Sequence, residues 1–340
     1  IQVSVADPHI FDKDMEGSIS GYRYVSSKFD GFDIKELGGA LGLSYNLSPK
    51  FYQSWEYTGA KRKFDDVSDY ASPIIQHQTL KNIDAGLDSA KEGKCGLSSL
   101  KHTIGYGTQF LRGIKGKLNL SLSTTAAGIG GDAKHLKNEI LGSYTIPVSR
   151  KSTLMFALST GLLSKLGGKS PHIVDSFELG MESFRGFEYA GFGPFSSTVR
   201  EVNGKKFARR DFIGAKKYWK GTVEYAFPMG LPEELQFRGF VFSDFGTLWD
   251  APDKGKKYLK KNGGTSVDVA GDKHDAVICD FDSKVKGHKI LDNKKIRASV
   301  GLGVSFVTPF GPLKLTYAIP VKKEKYDDQY RFLIGFSTTF

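Results

Sequence analysis

The chain has 340 residues, 40 of them glycine, and its 48 basic side chains outnumber 37 acidic ones for a formal charge of +11. No stretch approaches the roughly 18 uncharged apolar residues that a membrane-spanning helix needs, which excludes a helical membrane protein. Wholesale disorder is excluded as well, because 25 Phe, 15 Tyr and 3 Trp are more bulky apolar surface than a disordered chain carries. The basic excess alone admits nucleic acid or an anionic membrane surface as partner. Its lysines, however, crowd into segments such as Lys254–Lys261 and Lys284–Lys295 among Gly, Asp and Asn, the composition of solvated loops, so nucleic acid is not expected.

In chain order, period-two alternation marks strands at about 1–10, 14–26, 35–47, 50–60, 99–109, 115–126, 134–147, 152–163, 217–228, 234–246, 299–306, 313–322 and 330–340. The later ones are the clearest. Val300, Leu302, Val304 and Phe306 alternate with Ser and Gly. Leu313, Leu315, Tyr317, Ile319 and Val321 form the next apolar face, followed by Tyr330, Phe332, Ile334, Phe336 and Phe340. One helix is expected over Ile74–Ala90, since Ser72-Pro73 offers an N-cap and a first-turn proline.

Alternate connections are short (7–14, 48–49, 111–116, 149–151, 230–233, 309–312), and the intervening ones are mostly long (27–34, 61–98, 127–133, 164–216, 247–295). Tight turns at one end of the strands and extended loops at the other is the asymmetry of an outer-membrane barrel. A large soluble all-β domain remains the plainer alternative on pattern alone. Thirteen is an odd count, the chain opens inside a strand, and bacterial single-chain barrels have even numbers. Further strands are therefore expected upstream.

Phe184-Arg185-Gly186-Phe187, followed by Gly191-Phe192-Gly193-Pro194, lies in the longest loop; Glu224 lies on the next strand, and Phe242-Ser243-Asp244-Phe245-Gly246 on the one after it. With Phe310-Gly311-Pro312-Leu313 and the aromatic terminal strand, this order resembles the barrel of BamA-type outer-membrane assembly proteins, in the POTRA and surface-antigen superfamily, along essentially the whole chain. The resemblance implies an all-β, transmembrane antiparallel barrel of sixteen strands, of which about thirteen are present in residues 1–340 as the C-terminal part of a single domain. Three strands and the periplasmic POTRA domains would precede it.

The resemblance also implies that loop 164–216 enters the lumen, where Arg185 contacts Glu224 and Asp244. Alternation agrees for Glu224, because Val223, Tyr225 and Phe227 take the other face. Asp244 is less clean, sharing its face with Phe240 and Phe242. The motif departs from the family pattern in beginning with Phe184 rather than an aliphatic residue. Read without the motif, Arg185 is a solvated loop residue and the two acids are ordinary lumen charges.

The function that follows is that of the central insertase of the outer-membrane assembly machinery, with a seam between first and last strands that opens to template client strands. The seam residues would be Phe332, Gly335 and Phe340, Gly335 weakening the pairing. A polypeptide translocation pore of the two-partner secretion or autotransporter type is the alternative, and a passive porin the third reading. Expected partners are unfolded outer-membrane client proteins, accessory lipoproteins of the complex and the lipid bilayer. The expected location is the bacterial outer membrane, with the mitochondrial outer membrane as the alternative. No enzymatic activity, cofactor or metal is expected: Gly128-Ile129-Gly130-Gly131-Asp132 lacks the strand-to-helix context of a phosphate loop, and the seven His form no ligand cluster. Cys95 and Cys279 both fall on the loop side, where a disulfide and two free thiols are equally open.

Overall fold

The computed structural model describes the chain except residues 30, 69–70, 82–90, 112–113, 169, 203–204, 231–236, 253–256, 261–275, 280–284, 309–310 and 337–340. Phe340, the Pro309-Phe310 turn and residues 82–90 of the expected helix lie outside the described residues.

Thirteen strands form one sheet in chain order, every neighbouring pair antiparallel. They are β1 Gln2–Asp7, β2 Met15–Phe29, β3 Phe32–Ser48, β4 Phe51–Asp65, β5 Lys94–Leu111, β6 Ile114–Ala127 and β7 His135–Pro147. Then follow β8 Thr153–Lys165, β9 Lys217–Pro228, β10 Arg238–Trp249, β11 Arg297–Thr308, β12 Gly311–Lys322 and β13 Phe332–Phe336. The sheet is a partial β-barrel whose first and last strands are edges among the described residues.

The period-two pattern sorts the two faces. Ile19, Leu37, Leu41, Leu120, Leu122, Leu158, Leu302 and Ile334 all stand exposed on the outer face. So continuous an apolar surface is untenable in water and suits hydrocarbon. The inner face is polar and glycine-rich, and the buried core does not lie between two sheets. It sits at the long-loop end, where Ile34, Phe64, Leu163 and Leu248 at strand ends pack with Ile74, Ile75, Ile173, Phe184, Phe192 and Ile213 from the loops.

Three expectations need correction. The expected long connection 27–34 is a tight hairpin, with Phe29 paired to Phe32. Its charged residues read as a loop, but Phe32, Ile34 and Glu36 are buried on one side while Lys35 and Leu37 stand exposed on the other, so alternation runs to the strand end. The helix is real at its start, Ser72 accepting from the Ile75 amide at 3.4 Å, but α1 covers only Pro73–Thr79, and Leu80 is already extended and paired with Glu92.

Finally, loop 164–216 carries a hairpin of Phe195–Val202 and Lys205–Phe212, to which Val285–Leu291 adds a third strand. Asn203-Gly204 between alternating runs is the local signal for that hairpin.

Candidate functional site

The segment 180–193 reaches the inner face of β9–β12 as a knot of turns. Gly180, Gly186 and Gly193 adopt positive φ, and the Met181 amide donates to the Phe187 carbonyl at 2.8 Å. At Gly186 (φ 94°) a side chain would be strained by the backbone, and a Cβ there would stand 3.1 Å from that of Ser299 on β11. Phe184, Phe187 and Phe192 are fully buried with ring centroids 4.8–5.4 Å apart, edge-on or tilted to one another.

This aromatic knot presents Arg185 to the wall. Its Nε and Nη2 donate to Asp244 Oδ2 and Oδ1 at 2.8 and 2.9 Å, and its own amide donates to Oδ2 at 3.1 Å. Nη1 donates to Glu224 Oε2 at 2.5 Å. The guanidinium carbon lies 3.4 Å from the Phe242 ring centroid, a cation–π stack. Thr222 Oγ1 donates to Asp244 Oδ1 at 2.7 Å, and Lys314 approaches Glu224 at 3.6 Å.

Asp244 is wholly buried and Arg185 is 8% exposed, so the bidentate pair sits where unpaired charge is expensive. Burial works against the charge on Arg185, but Asp244 and Glu224 outweigh it and hold the guanidinium above its already high ordinary pKa.

The structure thus brings Arg185, Glu224 and Asp244 together. It also places Phe242, whose sharing of Asp244's face looked like a flaw in the pattern, as the surface on which the guanidinium lies. Phe184, where the resemblance leads to the expectation of an aliphatic residue, is one corner of the aromatic knot.

Beside the arginine, Gly186 and Phe187 pair with Tyr330 and Gln329, just before β13. Glu188 donates its amide to the Asp328 carbonyl at 3.1 Å, and Asp328 returns its own to Gly191 at 2.7 Å. The 323–331 connection is itself anchored by Arg297 at the start of β11. Its guanidinium, 1% exposed, pairs with Asp327 at 3.0 and 3.1 Å and faces the Tyr326 and Phe192 rings.

On β13, Phe332 is exposed on the outer face opposite Tyr317, and Gly335 faces inward opposite Lys314. A Cβ at Gly335 would stand 3.1 Å from Glu182 Oε1 of the loop.

A second ionic anchor was invisible in the sequence. Arg62 on β4 donates to Glu36 Oε2 on β3 at 2.7 Å and to Asp175 Oδ1 of loop 164–216 at 2.6 Å. Tyr22 and Tyr24 donate to Glu36, and Lys137 donates to the Asp175 carbonyl. Burial alone would raise the Asp175 carboxyl, but Arg62, His135 and His172 outweigh it and hold its pKa below the ordinary value. The long loop is therefore fixed to β4 at one point and to β9–β10 at another.

Of the two readings left open for Cys95 and Cys279, the structure has Cys95 as a free, buried thiol. It stands on the inner face of β5 opposite Arg62, enclosed by the loop core. The side chain of Cys279 lies outside the described residues. No group of His, Cys, Asp and Glu suited to a metal ion occurs among the described residues.

The whole chain, residues 1–340, matches the Omp85 superfamily domain. Over 201 residues, 58% of this chain, it is 27% identical to the outer membrane protein assembly factor BamA of Neisseria meningitidis serogroup B, covering 23% of that protein. Over 325 residues, 94% of this chain, it is 26% identical to the BamA of Neorickettsia risticii, covering 36% of it. The chain therefore spans about a third or less of the length of these relatives. Among solved structures it is similar in fold to BamA from Haemophilus ducreyi lacking POTRA domains 1–3, with a TM-score of 0.71 at 19% identity over 98% of this chain and 60% of the other.

Proposed function

Since the chain belongs to the Omp85 superfamily, we propose that it is the C-terminal barrel region of an outer-membrane protein assembly factor of BamA type, acting in the bacterial outer membrane. In this reading loop 164–216 is a lumenal plug and β13 is one side of a seam at which unfolded client barrels are received. The edge of β13, unpaired among the described residues, would offer main-chain donors and acceptors to an incoming strand. Each bond made there spares a client backbone group the cost of entering hydrocarbon unpaired, so no covalent chemistry is required. Client proteins and accessory lipoproteins are its partners, the latter through periplasmic domains.

The observation that carries this reading is the continuity from Arg185 to the edge strand. The arginine is fixed to β9 and β10, the next two residues are laddered to 329–330, and β13 begins at Phe332. A loop that both fills the interior and grips the approach to the terminal strand is suited to control whether that strand stays paired.

The test is reconstitution of the full-length protein in liposomes with an unfolded client barrel. Acceleration of client folding, scored by heat-resistant migration, is expected. Ionic conductance with no such acceleration would overturn the reading in favour of the translocation pore.

A further inference from the structure

We propose that the outer face of β2–β5, at the long-loop end, binds the phosphorylated headgroup of an outer-leaflet lipid. The register sets the positions. Tyr22, Tyr24, Glu36, Arg62 and Cys95 point inward, joined by the contacts described above, so their neighbours point out. Lys35 pairs with Lys63 and Lys63 with Lys94, which puts three lysines side by side across three strands. One step nearer the short-turn end, the next outward row runs Arg23, Leu37, Lys61 and Gly96.

Like charges directly opposite across a sheet are unfavourable, and the repulsion is relieved when an anion lies over them. Among the described residues the cations of this face outnumber the carboxylates. Asp65 pairs with both Lys35 and Lys63, which remain 49% and 45% exposed. Among the described residues, Arg23, Lys61 and Lys94 have no carboxylate within 4 Å. The five cations on this face meet three carboxylates among the described residues: Asp33 and Asp65 at the outermost row, and Asp132, which accepts the Gly96 amide at 2.7 Å beside the lower row.

The level of the patch fixes the class of partner. Below it, past an outward row of Gly21, Gly39, Gly59 and Ser98, the outer face turns apolar through Ile19, Leu41 and Tyr57, all exposed. Val25 and Leu37, also exposed, lie among the cations themselves. Along β3 the apolar outward positions run from Leu37 to Tyr45, which at about 3.4 Å per residue and a tilt near 40° is roughly 20 Å, close to the height of a barrel's apolar band. The cations thus stand at the upper rim of the hydrocarbon, where acyl chains meet headgroups and long basic side chains reach the interface. A soluble polyanion would not need Val25 and Leu37 among its ligands; a lipid with phosphates at the base of its headgroup meets both kinds of side chain at once.

The experiment uses the purified full-length protein in detergent, with native mass spectrometry counting retained lipid. A phosphorylated glycolipid is compared with the same lipid after phosphatase treatment, and Lys61→Gln/Lys63→Gln/Lys94→Gln is compared with Lys50→Gln/Lys151→Gln at the short-turn end. Heat-resistant migration checks that each variant is folded. Expected are at least a five-fold loss of retained lipid on dephosphorylation and a similar loss in the triple variant, with the control variant unchanged and millimolar inorganic phosphate without effect. Equal retention of the two lipids by the unsubstituted protein would overturn the proposal whatever the variants do. So would full retention by the folded triple variant, or displacement of the lipid by inorganic phosphate. No client protein is present, so the result is independent of insertase activity.

Discussion

Gly186 and Tyr330 lie opposite one another in a two-residue antiparallel ladder, so the residue after the buried arginine pairs with the residue two places before the terminal strand. The buried ion pair and the edge of the sheet are thereby one mechanical unit, and the first two predictions probe its ends.

Arg185→Ala removes three hydrogen bonds to side chains and leaves Asp244 buried without its main counter-charge. A loss of about 3–5 kcal/mol is expected at this site. Limited proteolysis should cut within 164–216 in the variant and spare it in the parent, with lower heat resistance of the barrel. Unchanged proteolysis and heat resistance would show that the contact does not hold the loop.

Arg297 and Asp327 are both buried and pair bidentately, so either Arg297→Ala or Asp327→Ala leaves an isolated buried charge. Each single variant should lose about 3–5 kcal/mol, whereas Arg297→Met/Asp327→Leu, which removes both charges, should lose clearly less. Hydrogen exchange of residues 332–336 reads the effect at the strand edge. Additive losses in the double variant would contradict the pairing.

The three-stranded sheet of Phe195–Val202, Lys205–Phe212 and Val285–Leu291 should loosen on mild acidification. His288 is buried and accepts or donates a 2.6 Å hydrogen bond with Ser196, and burial pushes its pKa down to about 4 from an ordinary 6.5. Between those values the unfolded segment binds a proton that the folded one refuses, so stability is whole above about pH 6.5 and falls as pH drops toward 4, by about 3 kcal/mol in all. Asp175 behaves differently: its depressed carboxyl contributes fully above the ordinary carboxylate range and is lost only as pH falls through its lower folded value. Hydrogen exchange at pH 7.5 and 5.0, each corrected for the intrinsic exchange rate at that pH, should therefore show lower protection in 195–212 and 285–291 at the lower pH, with the protection of 173–177 unchanged; His288→Gln should abolish the difference.

Cys95 should resist maleimide in the folded protein and react once it is denatured, because its thiol is free and buried. Denatured protein that yields no thiol without reductant would restore the disulfide.

Strand positions are legible wherever alternation is uninterrupted, as in Val300–Phe306, because one face must be apolar and the other need not be. The Phe29–Phe32 hairpin is hidden because outward charges at a strand end look like a loop until the inward Phe32 and Ile34 are read on their own. The Arg185 cluster is legible only through motif order. Arg62 and Asp175 are 113 positions apart, lie in no motif and meet only because the long loop reaches the inner face of β4. Arg297 likewise gives no local sign that its partner will be Asp327.

Because Asp175 holds the long loop to one wall and Arg185 holds it to another, the loop behaves as a bridge seated on two abutments. Freeing one end leaves the other to guide it back, so single breaches are self-repairing, and full withdrawal requires two coincident failures whose probabilities multiply. Were each seat empty about 1% of the time, both would be empty about 0.01% of the time, a gap of roughly 5.5 kcal/mol from the seated state. If the loop plugs the barrel as proposed, any agent that displaces it has to release both seats before either re-forms.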